Sequence, residues 1–497
     1  MKKDNIDVIL VKPNDKKNIY GSLPGKYTAI DPPWWLATVG GCLRDYGLCV
    51  KLIDADAQNQ DPLKTSKIIS ELKPCLVGIL LLGNNLTAST WKMNGASFLA
   101  KAIKEEMPDM PIFMWGQHVA ALPERTLKEE KCDFVIRGEG VHAIYELLIA
   151  IREHKNIPNC EIKGLWCNWN GKIAGSSEVD LIEDLNAVPV DGWELLGNQE
   201  YSNHVPFAFE DMGKRKRYGT ICTSLGCPFQ CTYCAISHFS GRRVRYKSPE
   251  NVVKEIDWWI KNRDVYYLRI MDENFTLNKE HAMAVCEAVI KENYNISMWA
   301  YARVDTVDAE LLNKMYEAGI HWLSYGFETG NIKVQGAIGK SQYSTEKMKE
   351  IVDMTHNAGI NIVANYMFGL PEDDSESMNE TLQLAKELNC EYPNMYCTMA
   401  YPGSVLYAEN VLGGGMPESW LGYTQLGYEC HPLPTKYLSA KEVLRFRDYA
   451  FNAFFENNDE YFKLIYEKFG QEPVDYIKGM LNNKLKRKLL EDGSVEN

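Results

Sequence analysis

The stretch Gly226-Cys-Pro-Phe-Gln-Cys-Thr-Tyr-Cys-Ala235 spaces three cysteines as C-x3-C-x2-C: Cys227, Cys231 and Cys234. Three thiolates in one tight loop can hold three irons of a [4Fe-4S] cluster, which normally takes four cysteine ligands. No fourth cysteine follows at short spacing, so one iron is left open to bind and reduce a ligand. The loop therefore predicts chemistry rather than structural support. A zinc site with His238 as its fourth ligand, or three unrelated thiols, are the alternatives.

The chain around this loop alternates short apolar strands with helices that carry one apolar face. The predicted strands are 219–224, 265–271, 298–303, 322–327, 362–368 and 394–400, and the predicted helices are 248–262, 278–292, 308–319, 344–358 and 375–388. This alternation predicts about six β/α units in an α/β fold, a partial (β/α)6 barrel rather than a closed eight-fold one. The cysteine loop then lies at the carboxyl end of the first strand, where barrels of this class carry their active sites.

A second alternating series precedes the barrel. Its predicted strands are 6–12, 50–54, 76–82, 112–115 and 134–137, and its helices lie near 35–46, 63–72, 87–106 and 141–152. Such a series predicts a doubly wound, Rossmann-like domain whose ligands bind outside the carboxyl ends of the strands. We therefore expect four parts: an N-terminal domain over 1–154, a linker over 155–214, the barrel core over 215–403 and a helical C-terminal domain over 404–497.

Composition narrows the class of protein. The 497 residues carry a net charge of -13, which gives a nucleic-acid partner no global electrostatic support. No stretch reaches the ~20 apolar residues of a membrane span, and the N-terminus lacks the apolar core of a signal peptide. We therefore expect a cytoplasmic protein without a membrane partner. Two basic runs, 214–217 and 241–245, flank the cysteine loop and could bind an anionic ligand or form a solvated face.

The cysteine loop, with the aromatic Tyr233 before its last cysteine, resembles the signature of the radical S-adenosylmethionine (SAM) superfamily. The resemblance covers roughly 215–403. It implies a [4Fe-4S] cluster whose open iron binds SAM, and reductive cleavage of SAM to a 5'-deoxyadenosyl radical. It also implies an electron donor such as flavodoxin or ferredoxin.

Later strand ends match further elements of that superfamily. Asp272 and Glu273, in Met271-Asp-Glu-Asn-Phe275, occupy the place of the motif that holds the SAM amino group, with helix capping as the alternative. Arg303 lies where relatives bind the SAM carboxylate, with an ion pair to Asp305 as the alternative. Glu328, in Tyr325-Gly-Phe-Glu-Thr-Gly330, matches the element that contacts the ribose or methionine end. Gly369 belongs to a stretch, 365–371, that resembles the adenine-binding element.

The N-terminal series resembles the cobalamin (B12)-binding domains attached to some radical SAM enzymes. The resemblance rests on 32–41 and on the strand-end runs Trp115-Gly-Gln-His-Val119 and Arg137-Gly-Glu-Gly-Val141. It implies that glycines let the cofactor approach the backbone closely: Gly83, Gly116, Gly138 and Gly140. The Asp-x-His-x-x-Gly motif that supplies a cobalt ligand elsewhere is absent, so for His118 a structural role is favoured over ligation. A domain that has lost the cofactor is the alternative.

Together the resemblances imply a class B radical SAM methyltransferase that acts on an unactivated carbon of a small-molecule substrate, with cobalamin as a further cofactor. Relatives of the same architecture catalyse cyclisation or other radical rearrangements, and this alternative stays open. A non-catalytic iron–sulfur or cobalamin sensor is the hypothesis from another class. Arg303 and Glu328 argue against it, because a sensor needs no SAM site. The sequence assigns no catalytic side chain.

Overall fold

The computed structural model describes residues 6–491, except 22, 24, 84, 154–160, 170, 412 and 415. Its first sheet has seven strands in the order β2-β1-β3-β4-β5-β6-β7, of which the first five are parallel. The strands are β1 (Val8–Lys12), β2 (Val50–Asp54), β3 (Leu76–Leu80), β4 (Ile112–Trp115), β5 (Phe134–Ile136), β6 (Leu165–Trp169) and β7 (Lys172–Gly175). The parallel strands are almost wholly buried and apolar, as strands covered by helices on both faces require.

Seven helices accompany this sheet: α1 (Lys16–Tyr20), α2 (Trp34–Asp45), α3 (Pro62–Leu72), α4 (Met93–Glu106), α5 (Gln117–Ala121), α6 (Pro123–Glu129) and α7 (Val141–Arg152). The strand order and the helices on both faces make this part of the molecule the doubly wound domain that the sequence predicts. Part of the predicted linker belongs to it, because β6 and β7 form an antiparallel hairpin on the edge strand β5. These strands escaped prediction because they are only five and four residues long and are joined through the turn residues of 168–171.

The second sheet has six parallel strands in the order β15-β14-β13-β12-β11-β8. The strands are β8 (Tyr218–Ile221), β11 (Tyr267–Ile270), β12 (Ser297–Ala302), β13 (Ile320–Glu328), β14 (Asn361–Phe368) and β15 (Tyr392–Cys397). The helices between them are α8 (Pro249–Arg263), α9 (Lys279–Glu292), α10 (Ala309–Glu317), α11 (Ile332–Ala337), α12 (Thr345–Asn357) and α13 (Ser375–Leu388). This is the partial (β/α)6 barrel that the sequence predicts.

The first barrel strand is shorter than predicted. It ends at Ile221, and the chain then forms a separate two-stranded sheet of β9 (Ser224–Leu225) and β10 (Arg245–Tyr246), which encloses the cysteine loop. The reason is that the backbone N–H of Thr223 donates to the Asp272 carboxylate at 2.7 Å instead of continuing the barrel ladder.

The C-terminal part is helical, as predicted, and contains α14 (Val405–Asn410), α15 (Ala440–Phe455), α16 (Asp459–Phe469), α17 (Gln471–Leu481) and α18 (Lys488–Glu491). At the amino end of the barrel the ring of Phe469 stacks on Trp322, with ring centroids 5.6 Å apart. On the other side, Trp420 lies against His118 of the N-terminal domain. Among the described residues, no helix is long and apolar enough to cross a membrane.

Candidate active site

The cysteine loop is held in a narrow turn at the mouth of the barrel. Gly226 has φ +103°, and a Cβ there would lie 2.5 Å from the Arg243 carbonyl oxygen, so only glycine fits. The N–H of Cys227 donates to the Gly241 carbonyl at 3.3 Å, and the N–H of Cys234 to that of Cys231 at 3.0 Å. Burial raises the pKa of the Cys227 thiol to about 12, so a thiolate at this position needs a positive partner such as iron.

The two carboxylates that follow β11 hold the ends of this loop. Asp272 accepts hydrogen bonds from the hydroxyls of Thr223 and Ser224, both at 2.6 Å. Glu273 accepts from the Gly226 N–H at 3.2 Å and from the Ser240 hydroxyl, and burial raises its pKa to about 7. Both side chains are therefore occupied by the protein, and the backbone of this segment is what remains for the SAM amino group. Neither carboxylate caps the helix that follows, since Asn278 does.

A buried ion pair ties the loop to the N-terminal domain. Glu139, in the Arg137–Val141 strand-end run, receives two hydrogen bonds from Arg245 at 2.6 and 2.8 Å. Glu139 also accepts the Ile182 N–H at 2.6 Å, while Arg245 donates to the Ser240 carbonyl. Because the two residues are 106 positions apart, sequence reasoning missed this contact. The available signals were a glutamate between two glycines, at 138–140, and the distant basic run 241–245 that contains Arg245.

Arg303 lies beside the loop and carries the ion pair that the sequence offered as an alternative. Its guanidinium donates twice to Asp305, at 2.8 and 2.6 Å. The remaining Nη1 lies 3.7 Å from the Cys231 sulfur, and the guanidinium covers the Phe229 ring at 3.7 Å. The arrangement holds a positive charge next to one predicted cluster ligand, while the role of Arg303 toward the SAM carboxylate stays a prediction.

Glu328 ends β13 in a conformation that non-glycine residues rarely adopt, with φ +64°. Its carboxylate accepts from the Tyr233 hydroxyl at 3.0 Å and from the Lys340 ammonium at 2.8 Å. A Cβ at Gly326 would lie 2.4 Å from that carboxylate, so the glycine leaves room for it. Buried, strained and charged residues concentrate at functional sites, which supports the prediction for Glu328. Sequence reasoning missed Lys340, although the glycine directly before it, Gly339, indicates a turn at this position.

Gly369 has a packing role within the protein, and its role toward adenine stays a prediction. It has φ +82°, and a Cβ there would lie 2.3 Å from the Val443 side chain of α15. Its N–H donates to the Asp373 carboxylate at 3.0 Å. The glycine therefore lets the C-terminal helix approach β14, and its N–H is already bonded within the protein.

Two strand-end glycines of the N-terminal domain pack against other protein segments, and their role toward a cofactor stays a prediction. A Cβ at Gly116 would lie 2.1 Å from the Leu81 carbonyl oxygen, and one at Gly138 would lie 2.3 Å from that of Asp180. These two glycines thus allow close contact between protein segments, and the structure does not require a cofactor to explain them. Gly83 differs, because it lines the cleft described below.

His118 is a structural residue in this fold. Its ring is buried, shares a hydrogen bond of 2.9 Å with the Thr90 hydroxyl and lies edge-on against Trp420 at 4.5 Å. Burial, and then the positive charge of Arg125, lower its pKa to about 3. These contacts agree with the structural role that the sequence favoured.

A cleft separates the carboxyl ends of the two parallel sheets. Its lining comes from both domains: Lys12, Asp31, Pro32, Pro33, Trp34, Trp35, Leu80, Leu82, Gly83, Arg269 and Met271. The Trp34 indole N–H in this cleft is buried without a hydrogen-bond partner. The cleft holds about 20 Å³, which is room for about one water molecule, so a large cofactor would need the two edges to move apart. The unsatisfied Trp34 N–H, which lies beside the charged Lys12, Asp31 and Arg269, would then meet an acceptor at the edge of such a cofactor. Nearby, Thr87 of the N-terminal domain contacts the Cys234 sulfur at 3.5 Å.

The donor set of the loop fits an iron–sulfur cluster. Among the described residues, no three His, Cys, Asp or Glu side chains are arranged as ligands of one metal ion. A [4Fe-4S] cube does not need that arrangement, because each thiolate binds a different iron. Three half-buried cysteines on a braced loop, with the open side toward Glu328 and Arg303, are suitable for it.

An asparagine pair faces the interior of the barrel. Asn365 uses its amide N–H groups on the Ser324 hydroxyl at 2.9 Å and the Tyr325 carbonyl at 2.8 Å. Since a carbonyl can only accept, this fixes the orientation of Asn365, whose oxygen accepts from the Asn394 amide at 3.1 Å. No described residue takes the second N–H or the oxygen of Asn394. One donor and one acceptor therefore remain for a ligand.

Comparison with known protein families gives two matches. Residues 221–385 match the Radical SAM superfamily model, and residues 25–148 match the B12 binding domain model. The first match contains the cysteine loop and the four barrel strands β11 to β14, and the second contains the parallel strands β2 to β5. The two stretches together cover more than half of the chain.

Relatives of similar length support the same assignment. An uncharacterized methyltransferase of Pyrococcus horikoshii is 28% identical over 456 residues, which cover 90% of this chain and 93% of the relative. The anaerobic magnesium-protoporphyrin IX monomethyl ester cyclase of Rubrivivax gelatinosus is 27% identical over 384 residues, 76% of this chain and 66% of the relative.

A solved structure shares the fold. It is the radical S-adenosylmethionine methyltransferase TsrM from Kitasatospora setae with cobalamin and a [4Fe-4S] cluster bound. The TM-score is 0.65 at 16% identity, with 82% of this chain and 78% of that chain covered. Both domain matches and the shared architecture agree with the cysteine loop, the barrel and the doubly wound domain found in this molecule. The chain is a member of the radical SAM superfamily that carries a B12-binding domain.

Proposed function

We propose that this protein is a cobalamin-dependent radical SAM methyltransferase that methylates an unactivated carbon of a small molecule. The observation that carries the proposal is the common cleft between the two sheets. Gly83 and Leu82 of the B12-binding domain and Met271 of the barrel line the same space, and Thr87 contacts Cys234. A cofactor on the first domain and a SAM molecule at the cluster are thereby brought to one reaction chamber.

In this proposal the cluster, when bound, supplies the electron that cleaves SAM, and cobalamin carries the methyl group. The three cysteines hold the irons, while Asp272 and Glu273 fix the loop from its two ends. Glu328, held by Tyr233 and Lys340, offers its carboxylate to the SAM hydroxyl or amino groups. Trp34 orients a cofactor edge through its unpaired N–H and keeps water out of the cleft.

The interior of the barrel supports a neutral, polar substrate. Arg269 is ion-paired with Asp31 at 3.6 Å and Arg303 is doubly bonded to Asp305, so both arginines near the interior are neutralised. The free donor and acceptor of Asn394 match a carboxamide, a lactam or a similar edge. We place the reaction in the cytoplasm, where the 13 described cysteines, all free thiols, remain reduced.

Methyl transfer is favoured by the Pyrococcus horikoshii relative, which is named a methyltransferase and matches nearly end to end. Cyclisation is the second candidate, because the Rubrivivax gelatinosus cyclase is almost as similar, at 27% identity. That relative, however, is matched over 66% of its length, so a third of it has no counterpart in the alignment.

The test is an anaerobic assay of reconstituted protein with SAM, a strong chemical reductant, and cobalamin either present or omitted. Methyl transfer predicts S-adenosylhomocysteine that depends on cobalamin, together with 5'-deoxyadenosine. Cyclisation predicts 5'-deoxyadenosine without cobalamin-dependent S-adenosylhomocysteine. Absence of both products from a sample with full iron content would contradict a radical SAM enzyme of either kind.

A variant of the cleft separates the cofactor claim from the fold. Gly83→Ala adds a Cβ at the wall of the cleft, 3.0 Å from the Asn85 carbonyl oxygen, so the segment 83–88 must shift, and we expect cobalamin retention to fall while iron content is unchanged. Gly25→Ala is the matched control, because a Cβ there meets nothing within 4 Å. Equal retention by the two variants would remove this cleft as the cobalamin site.

A further inference from the structure

The last cysteine of the loop is contacted by the N-terminal domain. The Thr87 hydroxyl lies 3.5 Å from the Cys234 sulfur, although the two residues are 147 positions apart in the chain. The side-chain amide of Gln117 donates to the carbonyl of Ala235, the residue that follows Cys234. Among the described residues of that domain, only Thr87 forms a side-chain hydrogen bond with one of the three sulfurs. One predicted cluster ligand is therefore held between the barrel and the B12-binding domain.

Thr87 is the donor of this bond whenever the cysteine binds iron. Between a thiol and a hydroxyl, either group can donate the proton. A cysteine that ligates iron is a thiolate, which has no proton and can only accept. Within the part of the chain that the structure describes, the Thr87 hydroxyl has no hydrogen bond to any other group. Its proton is thus available to the sulfur.

A short turn fixes the position of Thr87. The Thr87 N–H donates to the side-chain oxygen of Asn85 at 3.0 Å. Two residues later, the Ser89 hydroxyl donates to the Leu86 carbonyl at 2.7 Å and accepts the Gly83 N–H at 3.2 Å. Because these bonds hold the turn together, the Thr87 hydroxyl is positioned by its own domain. The same turn lines the cleft with Gly83 and contacts the cluster loop with Thr87.

We propose that Thr87 is a positioning residue that acts through Cys234: its hydroxyl donates a hydrogen bond to this cluster ligand and thereby raises the reduction potential of the [4Fe-4S] cluster. The proposal rests on the proposed function, since it requires the cluster on the three cysteines. When the cluster passes from the 2+ to the 1+ state, it gains one negative charge, which its sulfur ligands share. A donor to one sulfur stabilises the reduced state more than the oxidised state, and hydrogen bonds of this kind are among the factors that set cluster potentials.

Burial strengthens the effect of a single neutral donor. Thr87 and Cys234 are both half-buried, so the bond lies in surroundings of lower dielectric constant than water. The Ile236 N–H is a second donor to the same sulfur. Loss of the Thr87 hydroxyl therefore leaves Cys234 with one donor, so we expect the ligand to stay in place while the charge on the sulfur is less well compensated.

Arg303 is a weaker probe of the same effect. Its guanidinium lies 3.7 Å from the Cys231 sulfur, but it is also bonded twice to Asp305 and is predicted to bind the SAM carboxylate. A substitution of Arg303 would therefore change three interactions at once. Thr87→Val instead removes the hydroxyl with nearly unchanged shape, so the hydrogen bond can be tested by itself.

The experiment uses the full-length, reconstituted protein without SAM. The variants are Thr87→Val and Thr87→Ala, which lack the hydroxyl, and Thr87→Ser, which keeps it. Thr90→Val is the matched control, because Thr90 lies in the same helical segment and its hydroxyl bonds to His118 instead of the loop. A mediated redox titration with titanium(III) citrate, which gives up one electron per cluster and becomes titanium(IV), is followed by the electron paramagnetic resonance signal of the 1+ cluster. Iron content is measured in parallel.

We expect the ratio of reduced to oxidised cluster at a fixed potential to be about tenfold lower in Thr87→Val and Thr87→Ala than in wild type. For a one-electron couple this is a midpoint potential about 59 mV more negative. Thr87→Ser and Thr90→Val should titrate as wild type, with equal iron content in all samples.

The proposal is overturned by an unchanged midpoint in both variants that lack the hydroxyl, or by an equal shift in Thr87→Ser or Thr90→Val. Loss of iron from both Thr87→Val and Thr87→Ala would also overturn it, because Thr87 would then hold the loop and not tune the cluster. The proposed function fails separately, if wild type with full iron content forms no 5'-deoxyadenosine from SAM and titanium(III) citrate. The midpoint is measured without SAM and does not depend on that outcome.

Discussion

The mouth of the barrel and the facing edge of the N-terminal sheet are both carboxyl ends of parallel strands, yet they are built differently. At the barrel mouth, charged side chains such as Glu273, Arg303 and Glu328 contact the cysteine loop or one another. At the N-terminal edge, Gly116 and Gly138 contact backbone carbonyls and His118 is buried. The difference teaches that strand ends can carry charged groups that brace a loop in one sheet and glycines that allow close packing of segments in the other.

The largest effect should come from the barrel mouth. Cys231→Ala removes one of three cluster ligands, so we expect loss of bound iron and no detectable 5'-deoxyadenosine. Iron analysis and an anaerobic SAM cleavage assay measure this. Cys132→Ala, at a buried cysteine of the N-terminal domain, is the control and should keep both. A Cys231→Ala protein that still cleaves SAM would contradict the cluster assignment.

The next effect tests the architectural role of the N-terminal edge. Glu139→Gln leaves Arg245 buried with half of its ion pair, and breaking such a pair costs about 3–5 kcal/mol in the free energy of unfolding. Denaturant titration of the metal-free protein measures this. Glu183→Gln breaks the exposed pair with Arg243 and should cost less than about 1 kcal/mol. Similar losses in both variants would show that Glu139 does not anchor the loop.

His118 should make stability depend on pH. Its folded-state pKa of about 3 lies below the unfolded value of about 6.5, so its contribution is complete above 6.5 and is lost as pH falls. Between pH 7 and pH 5 this loss amounts to about 2 kcal/mol of the free energy of unfolding, since each pH unit below about 6.5 is worth about 1.4 kcal/mol.

The measurement is urea denaturation at pH 7 and pH 5 for wild type, His118→Gln and His142→Gln. His118→Gln should lose less stability on acidification than wild type, whereas the exposed His142 should make no difference. Parallel pH profiles for wild type and His118→Gln would mean that His118 takes up a proton in the folded state, and a ligand role would become open again.

The smallest effect concerns SAM affinity. Glu328→Gln keeps the shape and the hydrogen-bond capacity but removes the charge, so we expect SAM to bind about tenfold more weakly, or about 1.4 kcal/mol. Equilibrium binding to reconstituted protein measures it, with iron content checked. Glu350→Gln, on the outer helix α12, is the control. Unchanged affinity would place the SAM hydroxyl and amino groups on other atoms of the barrel mouth.

Much of the fold could be predicted, because its signals are local. The parallel strands are short apolar runs and the helices have one apolar face, so each can be found within a window of the chain. Strands β6 and β7 escaped because they are short and are joined by turn residues that obscure the strand pattern. Likewise, β8 ends early because Asp272, 49 positions away from Thr223, takes its N–H.

The site was predicted in part for a similar reason. Cys227, Cys231 and Cys234 lie within eight residues, so their spacing can be read directly from the sequence. The strand-end position of Glu328 follows from the strand pattern. The loop anchors, the Glu139–Arg245 pair and the Asn365–Asn394 pair depend on contacts between distant segments. Gly369 and Gly138 also pack against other protein segments, which the sequence did not indicate, while their roles toward cofactors stay predictions.

The sequence by itself determined the cluster loop, the class of both sheets and the family, because spacing and periodicity are properties of contiguous residues. Only the tertiary structure decided that Glu273 and Asp272 hold the loop, that His118 packs against Trp420 and that Glu139 pairs with Arg245. The physical reason is that burial and pairing set the task of a charged group, and both arise from segments that meet only when the chain is folded.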